Sequence, residues 1–220
     1  MKNYAVILAS GKGERFNNDL PKQFVKIGNK TILELCVDVF EKSDFIDYII
    51  VVITPEYKSM AVEILHSYKK IIKIVEGGKT RKESSYIGIS QIKESEANVF
   101  IHDCARPFVS ERILNDCAKA LREHDAVGVA VPVVDTIIQV KDNFIKNIPE
   151  RKSLMAIQTP QCFKLSLIKK AHELSRNDEN FTDDCGLVLK YNLADIYLVD
   201  GDVKNFKITY PKDILVAQNT

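Results

Sequence analysis

The stretch from residue 5 to residue 24 constrains this chain more than any other. A short apolar run, Ala5-Val-Ile-Leu-Ala9, is continuous rather than alternating, the pattern of a parallel strand buried on both faces. It breaks directly into Ser10-Gly11-Lys12-Gly13, where small residues let the backbone bend sharply and present its N–H groups. Such groups form a concavity that favours an anion, and Lys12, Arg15 and Lys22 add positive charge close by. A phosphate-binding loop at the carboxyl end of the first strand of an α/β sheet is the reading this supports.

Three kinds of phosphate loop compete for the stretch. A dinucleotide fingerprint needs Gly-x-Gly-x-x-Gly, and its third glycine is here Phe16. A P-loop needs lysine and then Ser or Thr after its last glycine, but Glu14 and Arg15 follow Gly13. The later Gly78-Lys79-Thr80 resembles a P-loop tail, yet Lys73 replaces the leading glycine. The third loop, that of sugar-phosphate nucleotidyltransferases, is small-small-Gly-x-Gly-x-Arg followed by Pro-Lys. Ser10 to Arg15 with Pro21-Lys22 is similar to it throughout. An ordinary glycine turn explains the loop alone but not the downstream Pro-Lys-Gln.

A chain of 220 residues is long enough for one α/β domain with a full core and short for two. Its net charge of +1 provides no bulk field towards nucleic acid or an anionic membrane, so phosphate binding must be local. Cys36, Cys104, Cys117, Cys162 and Cys185 are odd in number and lack Cys-x-x-Cys spacing. That argues against a disulfide framework or a zinc site and suits a reducing compartment. The apolar opening is too short for a signal peptide, and no run approaches a membrane span. A cytoplasmic protein is expected, with neither a membrane nor a nucleic-acid partner.

Strand-like and helix-like segments alternate, which predicts a Rossmann-like, mostly parallel sheet with helices on both faces. Strands are expected at 5–9, 48–54, 71–75, 98–102, 126–131, 196–199 and 206–209. Helices are expected at 31–42, 58–68, 79–93, 110–124, 166–175 and 183–191, with a last one from Pro211. In the third of these, Tyr86, Ile87, Ile89 and Ile92 would face inward. The pattern changes at Val133: residues 136–148 read as two short strands around an Asp142-Asn143 turn. The whole of 1–220 is therefore expected to be one domain carrying an inserted β-arm at 133–158, whose exposed edges make it a candidate dimerisation arm. A hairpin folded back on its own domain fits the sequence equally well.

His102-Asp103-Cys104-Ala105-Arg106-Pro107 follows a buried strand, at the sheet edge where open α/β folds bind ligands. Asp103 there can hold a metal, accept a ligand hydroxyl, or pair with Arg106. Cys104 lacks a clear base partner beyond His102, so it is not read as a nucleophile. His66, His124 and His172 are expected on helix surfaces, and none has metal-ligand spacing. Gly77 to Ser84 can hold a nucleobase through backbone groups and Ser84; Thr80 with Glu83 also has the form of a capping box. Arg151 lies just beyond the hairpin, before Thr159-Pro160-Gln161, and Lys207 sits within Asn205-Phe-Lys-Ile-Thr209.

In their order along the chain these motifs resemble the cytidylyltransferases that make CDP-activated polyols, above all the 2-C-methyl-D-erythritol 4-phosphate cytidylyltransferases of isoprenoid precursor synthesis. The resemblance runs through Ala9–Arg15, Pro21-Lys-Gln23, Gly77-Gly78 with Arg81 and Ser84, and His102 to Pro107. It continues through Pro132-Val-Val-Asp-Thr136, Arg151, Gln158-Thr-Pro-Gln161, Thr182-Asp-Asp184 and Asn205 to Thr209.

The resemblance implies that Arg15 and Lys22 neutralise the triphosphate while the polyol phosphate attacks the α-phosphorus. Main-chain groups of Ala9, Ser10, Gly11 and Gly13, with Gly78 and Ser84, would hold CTP. Arg151 and Lys207 would orient the acceptor phosphate, and Asp103, Arg106, Thr136, Thr159 and Thr182 would line the polyol site. It implies a homodimer in which Thr136, Arg151 and Thr159 serve the neighbouring subunit, and Mg²⁺ carried mainly on the CTP phosphates rather than by protein ligands. Ser10 stands where alanine is usual, Lys79 where some members have an acid, and Cys104 where a small residue is usual. Ile148-Pro149-Glu150-Arg151 is closer to the ribitol-5-phosphate enzymes. Methylerythritol phosphate is thus the leading acceptor and ribitol 5-phosphate the alternative. A non-catalytic nucleotide-binding protein of the same fold and a Rossmann dehydrogenase are the readings from other classes.

Overall fold

The continuous apolar runs become central strands, and the amphipathic stretches between them become the helices that cover both faces. The computed structural model describes residues 1–11, 16, 20–178 and 181–219. The first half comprises β1 (Lys2–Ala9), β2 (Lys26–Ile27), β3 (Lys30–Thr31), α1 (Ile32–Lys42), β4 (Tyr48–Ile53), α2 (Lys58–Leu65), β5 (Ile71–Glu76) and α3 (Arg81–Ser90). Next come β6 (Ala97–Asp103), α4 (Glu111–Ala120), β7 (Ala126–Pro132), β8 (Gln139–Lys141) and β9 (Phe144–Asn147). The chain ends with β10 (Met155–Lys164), α5 (Leu165–Leu174), α6 (Asp184–Lys190), β11 (Tyr197–Asp200) and α7 (Lys212–Ala217).

Seven strands form one sheet in the order β11-β7-β10-β6-β1-β4-β5. All run in one direction except β10, which is antiparallel to both β6 and β7. From β1 the chain steps outward through β4 to β5, then returns to place β6 on the other side of β1. The strand order therefore reverses between β1 and β6, the position where open α/β sheets leave a crevice beyond their carboxyl ends.

The central strand β1 feeds two cores. Ala5, Ile7 and Ala9 of β1 pack with α1 and α4, whereas Tyr4, Val6 and Leu8 pack with α3 and α5. A Cβ at Gly88 would lie 2.4 Å from Val6 Cγ1 and 2.9 Å from Val52 Cγ2, so only glycine lets α3 lie this close to β1 and β4. Thr80 and Glu83 form a reciprocal capping box at its start.

The expected hairpin is present, with Asp142 and Asn143 both at positive φ (52° and 63°), as a tight two-residue hairpin turn requires. It leaves the sheet after Pro132 and the chain rejoins at the pair Met155↔Pro132. Val134, Val140, Phe144, Ile145 and Ile148 are all more than half exposed on it.

Expectation and structure differ at four points. Residues 206–209 are not a strand: Ile208 N–H bonds Ala105 O and Ile208 O accepts from Lys22 Nζ, two isolated bridges rather than a ladder. Conversely, 155–164 is a strand that the sequence hides, because Pro160 interrupts it; a register shift between Gln158 and Cys162 accommodates the missing donor. Finally, His172 is buried rather than on the surface, and Tyr86 is the exposed side chain of the two, its ring against the imidazole.

Candidate active site

Beyond the carboxyl ends of β1, β4, β5 and β6 lies a cleft of about 890 Å³. Ala9, Ser10, Gly11, Lys22, Gly78, Ser84, Asp103 and Lys207 all line it. These residues come from five separate stretches of sequence, and the sheet edge is what unites them.

The floor is built from small residues whose spacing is fixed by hydrogen bonds. Ser10 Oγ donates to Ser84 Oγ at 2.8 Å, and Ser84 Oγ also accepts Gly78 N–H at 3.2 Å. Gln23 Nε2 donates to Ala9 O at 2.8 Å, which ties the segment after the glycine loop back to β1. Gly77 is required here: an added Cβ would sit 2.4 Å from Ser10 Cβ and 3.0 Å from Ser84 Oγ. The α3 N-terminus, capped by Thr80, thereby opens onto the cleft.

The opposite wall is ionic. Lys207 Nζ donates to Asp103 Oδ2 at 2.7 Å, and Arg81 Nε donates to Asp103 Oδ1 at 3.0 Å. Burial would raise the Asp103 carboxyl, but Arg81 and then Lys207 outweigh it and hold it well below the usual carboxylate range. Asp103 thus pairs with Arg81 and Lys207, not with Arg106. The loop bearing Lys207 is pinned by buried Asn205, whose side chain donates to Thr159 O and Gln158 Oε1.

Arg106 instead fastens the loop after β11 to β10, donating to Asn205 O at 2.8 Å and to Ile157 O at 3.4 Å. Thr159, expected to serve a neighbouring subunit, is instead buried beneath Asp103 of its own chain: its hydroxyl accepts Asp103 N–H at 3.0 Å and lies 3.1 Å from His102 Nδ1. His102 is neutral, its pKa brought down to about 4 by burial despite its bond to Arg106 O. Arg151 and Thr136 stand apart from the cleft on the arm, bonded to each other at 3.1 Å. Thr182 is exposed just before α6 and does not line the cleft either. Gly13 and Arg15 lie outside the described residues.

Two contributors lacked a place among the expected site residues. Arg81 is the larger omission, although its position four residues after Gly77 in a glycine-led loop marks it. Asp184 is the other; it takes Arg81 Nη1 on Oδ2 at 2.7 Å behind the cleft wall.

Comparison with known proteins decides what this architecture is. The profile of the IspD family, 2-C-methyl-D-erythritol 4-phosphate cytidylyltransferase, matches residues 4–220. The chain belongs to this family. The cytidylyltransferase of Thermosipho melanesiensis is 43% identical over 218 residues, covering 96% of this chain and 94% of its own. That of Clostridioides difficile is 42% identical, covering 97% and 91%. Among solved structures, the 4-diphosphocytidyl-2C-methyl-D-erythritol synthase of Anaerococcus prevotii aligns with a TM-score of 0.88 at 31% identity, over 99% of this chain and 95% of that one. The Francisella tularensis cytidylyltransferase gives 0.84 at 29%, over 99% and 98%. As a cytidylyltransferase of the methylerythritol family, the chain is a nucleotidyltransferase enzyme of isoprenoid synthesis. The family match spans the arm, so Ile148-Pro149-Glu150 does not move the chain to the ribitol branch.

Proposed function

We propose that the chain converts CTP and 2-C-methyl-D-erythritol 4-phosphate into CDP-methylerythritol and pyrophosphate in this cleft. The observation that carries the reading is the meeting of a small-residue nucleotide floor with the Asp103–Lys207 wall across one cavity. An acceptor phosphate oxygen forms a bond to the α-phosphorus of CTP while the bond from that phosphorus to the bridging β-oxygen breaks, and pyrophosphate leaves. The attacking group is already an anion, so no general base is needed. What the protein must supply is position and positive charge.

Ala9, Ser10, Gly11 and Gly13 offer backbone N–H groups to the triphosphate, and Gly78 with Ser84 holds the cytidine side. Lys22 and Arg15 follow the loop and stabilise the charge that accumulates as pyrophosphate departs. Lys207 receives the acceptor phosphate, and Asp103 orients both Lys207 and the polyol. Arg106 and Thr159 support these groups from behind. Thr182, outside the cleft before α6, is assigned to the polyol by the family resemblance alone.

Among the described residues no cluster of three His, Cys, Asp or Glu side chains could hold a metal, and both Asp103 oxygens already accept hydrogen bonds from cations. That donor set fits a Mg²⁺ ion that arrives on the CTP phosphates, where it supplies neutralising charge. The exposed apolar side chains of the arm fit a homodimer in which Thr136 and Arg151 reach the partner's acceptor site. No described helix is long and apolar enough to cross a membrane, and a cytoplasmic enzyme acting without nucleic acid accords with the near-neutral charge.

Radiolabelled CTP tests the reaction. With methylerythritol phosphate and Mg²⁺, α-³²P is expected in CDP-methylerythritol and γ-³²P in pyrophosphate. Release of α-label as free CMP irrespective of acceptor would contradict it, as would unchanged CTP.

A further inference from the structure

Behind the ionic wall lies a second layer of polar side chains, set back from the cleft lining. Asp184 opens α6, and its carboxylate is fully buried. Oδ2 accepts from Arg81 Nη1 at 2.7 Å, and Oδ1 accepts from Ser85 Oγ at 2.6 Å. His172 Nε2, buried on α5, stands 3.4 Å from Oδ1. Gln161 of β10 fixes the backbone beneath: its Oε1 accepts the N–H groups of Asp184 and Cys185 at 2.8 and 3.0 Å. α3 and α5 therefore converge on the Asp184 carboxylate, while β10 fixes the backbone that carries it.

The chain of contacts runs Asp184, Arg81, Asp103, Lys207. Its deep end is 1% exposed and its outer end 39%, so a buried anchor is coupled to a side chain at the cleft. Arg81 has a planar fork and meets two acids at different edges, Nε on Asp103 and Nη1 on Asp184. Because Asp184 holds one edge, Arg81 reaches Asp103 through Nε alone and leaves Asp103 Oδ2 to Lys207.

We propose that Asp184, braced by Ser85 and His172, is a positioning residue for the acceptor half of the site. It acts through Arg81 to set the Asp103–Lys207 pair, and it does not touch substrate. The inference rests on the assignment of Lys207 and Asp103 to the acceptor. Replacing Asp184 by Asn keeps the shape but removes the charge that draws Arg81 inward. The guanidinium then turns its fork onto Asp103 and competes with Lys207. The nucleotide floor, held by Ser10, Gly77 and Ser84, is unaffected.

The test is steady-state kinetics on Asp184→Asn and Ser85→Ala in the full-length protein, with NMR of the Arg81 Nε–H group in each. Asp184→Asn is expected to raise KM for methylerythritol phosphate at least tenfold while KM for CTP stays within twofold. Ser85→Ala should move the same constant by a few fold, which keeps the test open should Asp184→Asn not fold. The Arg81 Nε–H resonance should shift in both variants. A lowered melting temperature with both KM values unchanged would overturn the proposal, as would an unmoved Arg81 resonance. Failure of the wild-type enzyme to use methylerythritol phosphate would instead defeat the acceptor assignment, and the NMR comparison would still judge the network.

Discussion

Lys207 and Asp103, 104 positions apart in the chain, meet at 2.7 Å and close one wall of the cleft. Local pattern places Asp103 at the end of a buried strand, but it does not bring Lys207 there. β6 delivers Asp103 to the sheet edge, while Lys207 hangs from a loop that buried Asn205 and Ile208 pin to β10 and to the turn after β6.

Lys207→Met removes the cation and keeps the aliphatic stem. A positioned cation at a reacting phosphate is worth roughly 3–4 kcal/mol. We expect kcat/KM for methylerythritol phosphate to fall about 10²–10³-fold with CTP affinity near normal. Isothermal titration with CTP beside turnover assays checks the split; an equal loss of CTP binding would place Lys207 on the nucleotide.

Gly77→Ala tests the nucleotide floor. Its Cβ would collide with Ser10, 2.4 Å away, on a segment that anchors the loop. Native-like circular dichroism with KM for CTP raised at least tenfold is the expected outcome, since the loop must shift to admit a methyl group. Unchanged CTP kinetics would show that the Ser10–Ser84 contact does not shape the site.

The pH dependence of stability follows from His102. Its folded-state pKa, about 4, lies below the ordinary imidazole value, so the unfolded chain binds the proton first. Stability should decline as pH falls from about 6.5 to about 4, by up to about 3 kcal/mol. Asp184, held at about 2 against the effect of burial by Arg81, His172 and Ser85, contributes stability that is present above the ordinary carboxylate pKa and lost as pH falls through about 2. Urea midpoints measured between pH 7.5 and 4.5 should slope downward in the wild type and less steeply in His102→Gln. Parallel slopes would remove His102 from the account.

The arm is best tested by mixing subunits. Lys22→Ala alone should lower turnover by about 10²–10³-fold with the fold intact, and Arg151→Ala should also be poorly active. If each arm serves its partner's cleft, the heterodimer of these two variants contains one site with both residues present. An equal mixture, exchanged to random pairing, should then recover roughly a quarter of wild-type activity. Activity no greater than the mean of the two parents would contradict a shared site.

Much of this was legible in the residues. Continuous apolar runs such as Ala5–Ala9 located the central strands, and the glycine pairs marked the turns at their carboxyl ends. The strand at β10 was hidden because Pro160 and its polar neighbours break the apolar pattern. Its reversed direction, set by pairing with β6 and β7, is a tertiary property. Lys207 drew notice through the alternation Phe206-Lys207-Ile208, which reflects one buried anchor in a loop rather than a strand. His172 looked like a surface residue because its helix is amphipathic, whereas its true partner, Asp184, comes from a different helix. Long-range charge pairs such as Arg81–Asp184 have no spacing in sequence, so only the fold displays them.

The most direct measurement is kcat/KM of the purified wild-type enzyme for methylerythritol phosphate and for ribitol 5-phosphate, read by pyrophosphate release at saturating CTP and Mg²⁺. The account predicts efficient turnover of methylerythritol phosphate and a large preference for it. Preference for ribitol 5-phosphate, or no pyrophosphate from either acceptor, would contradict it.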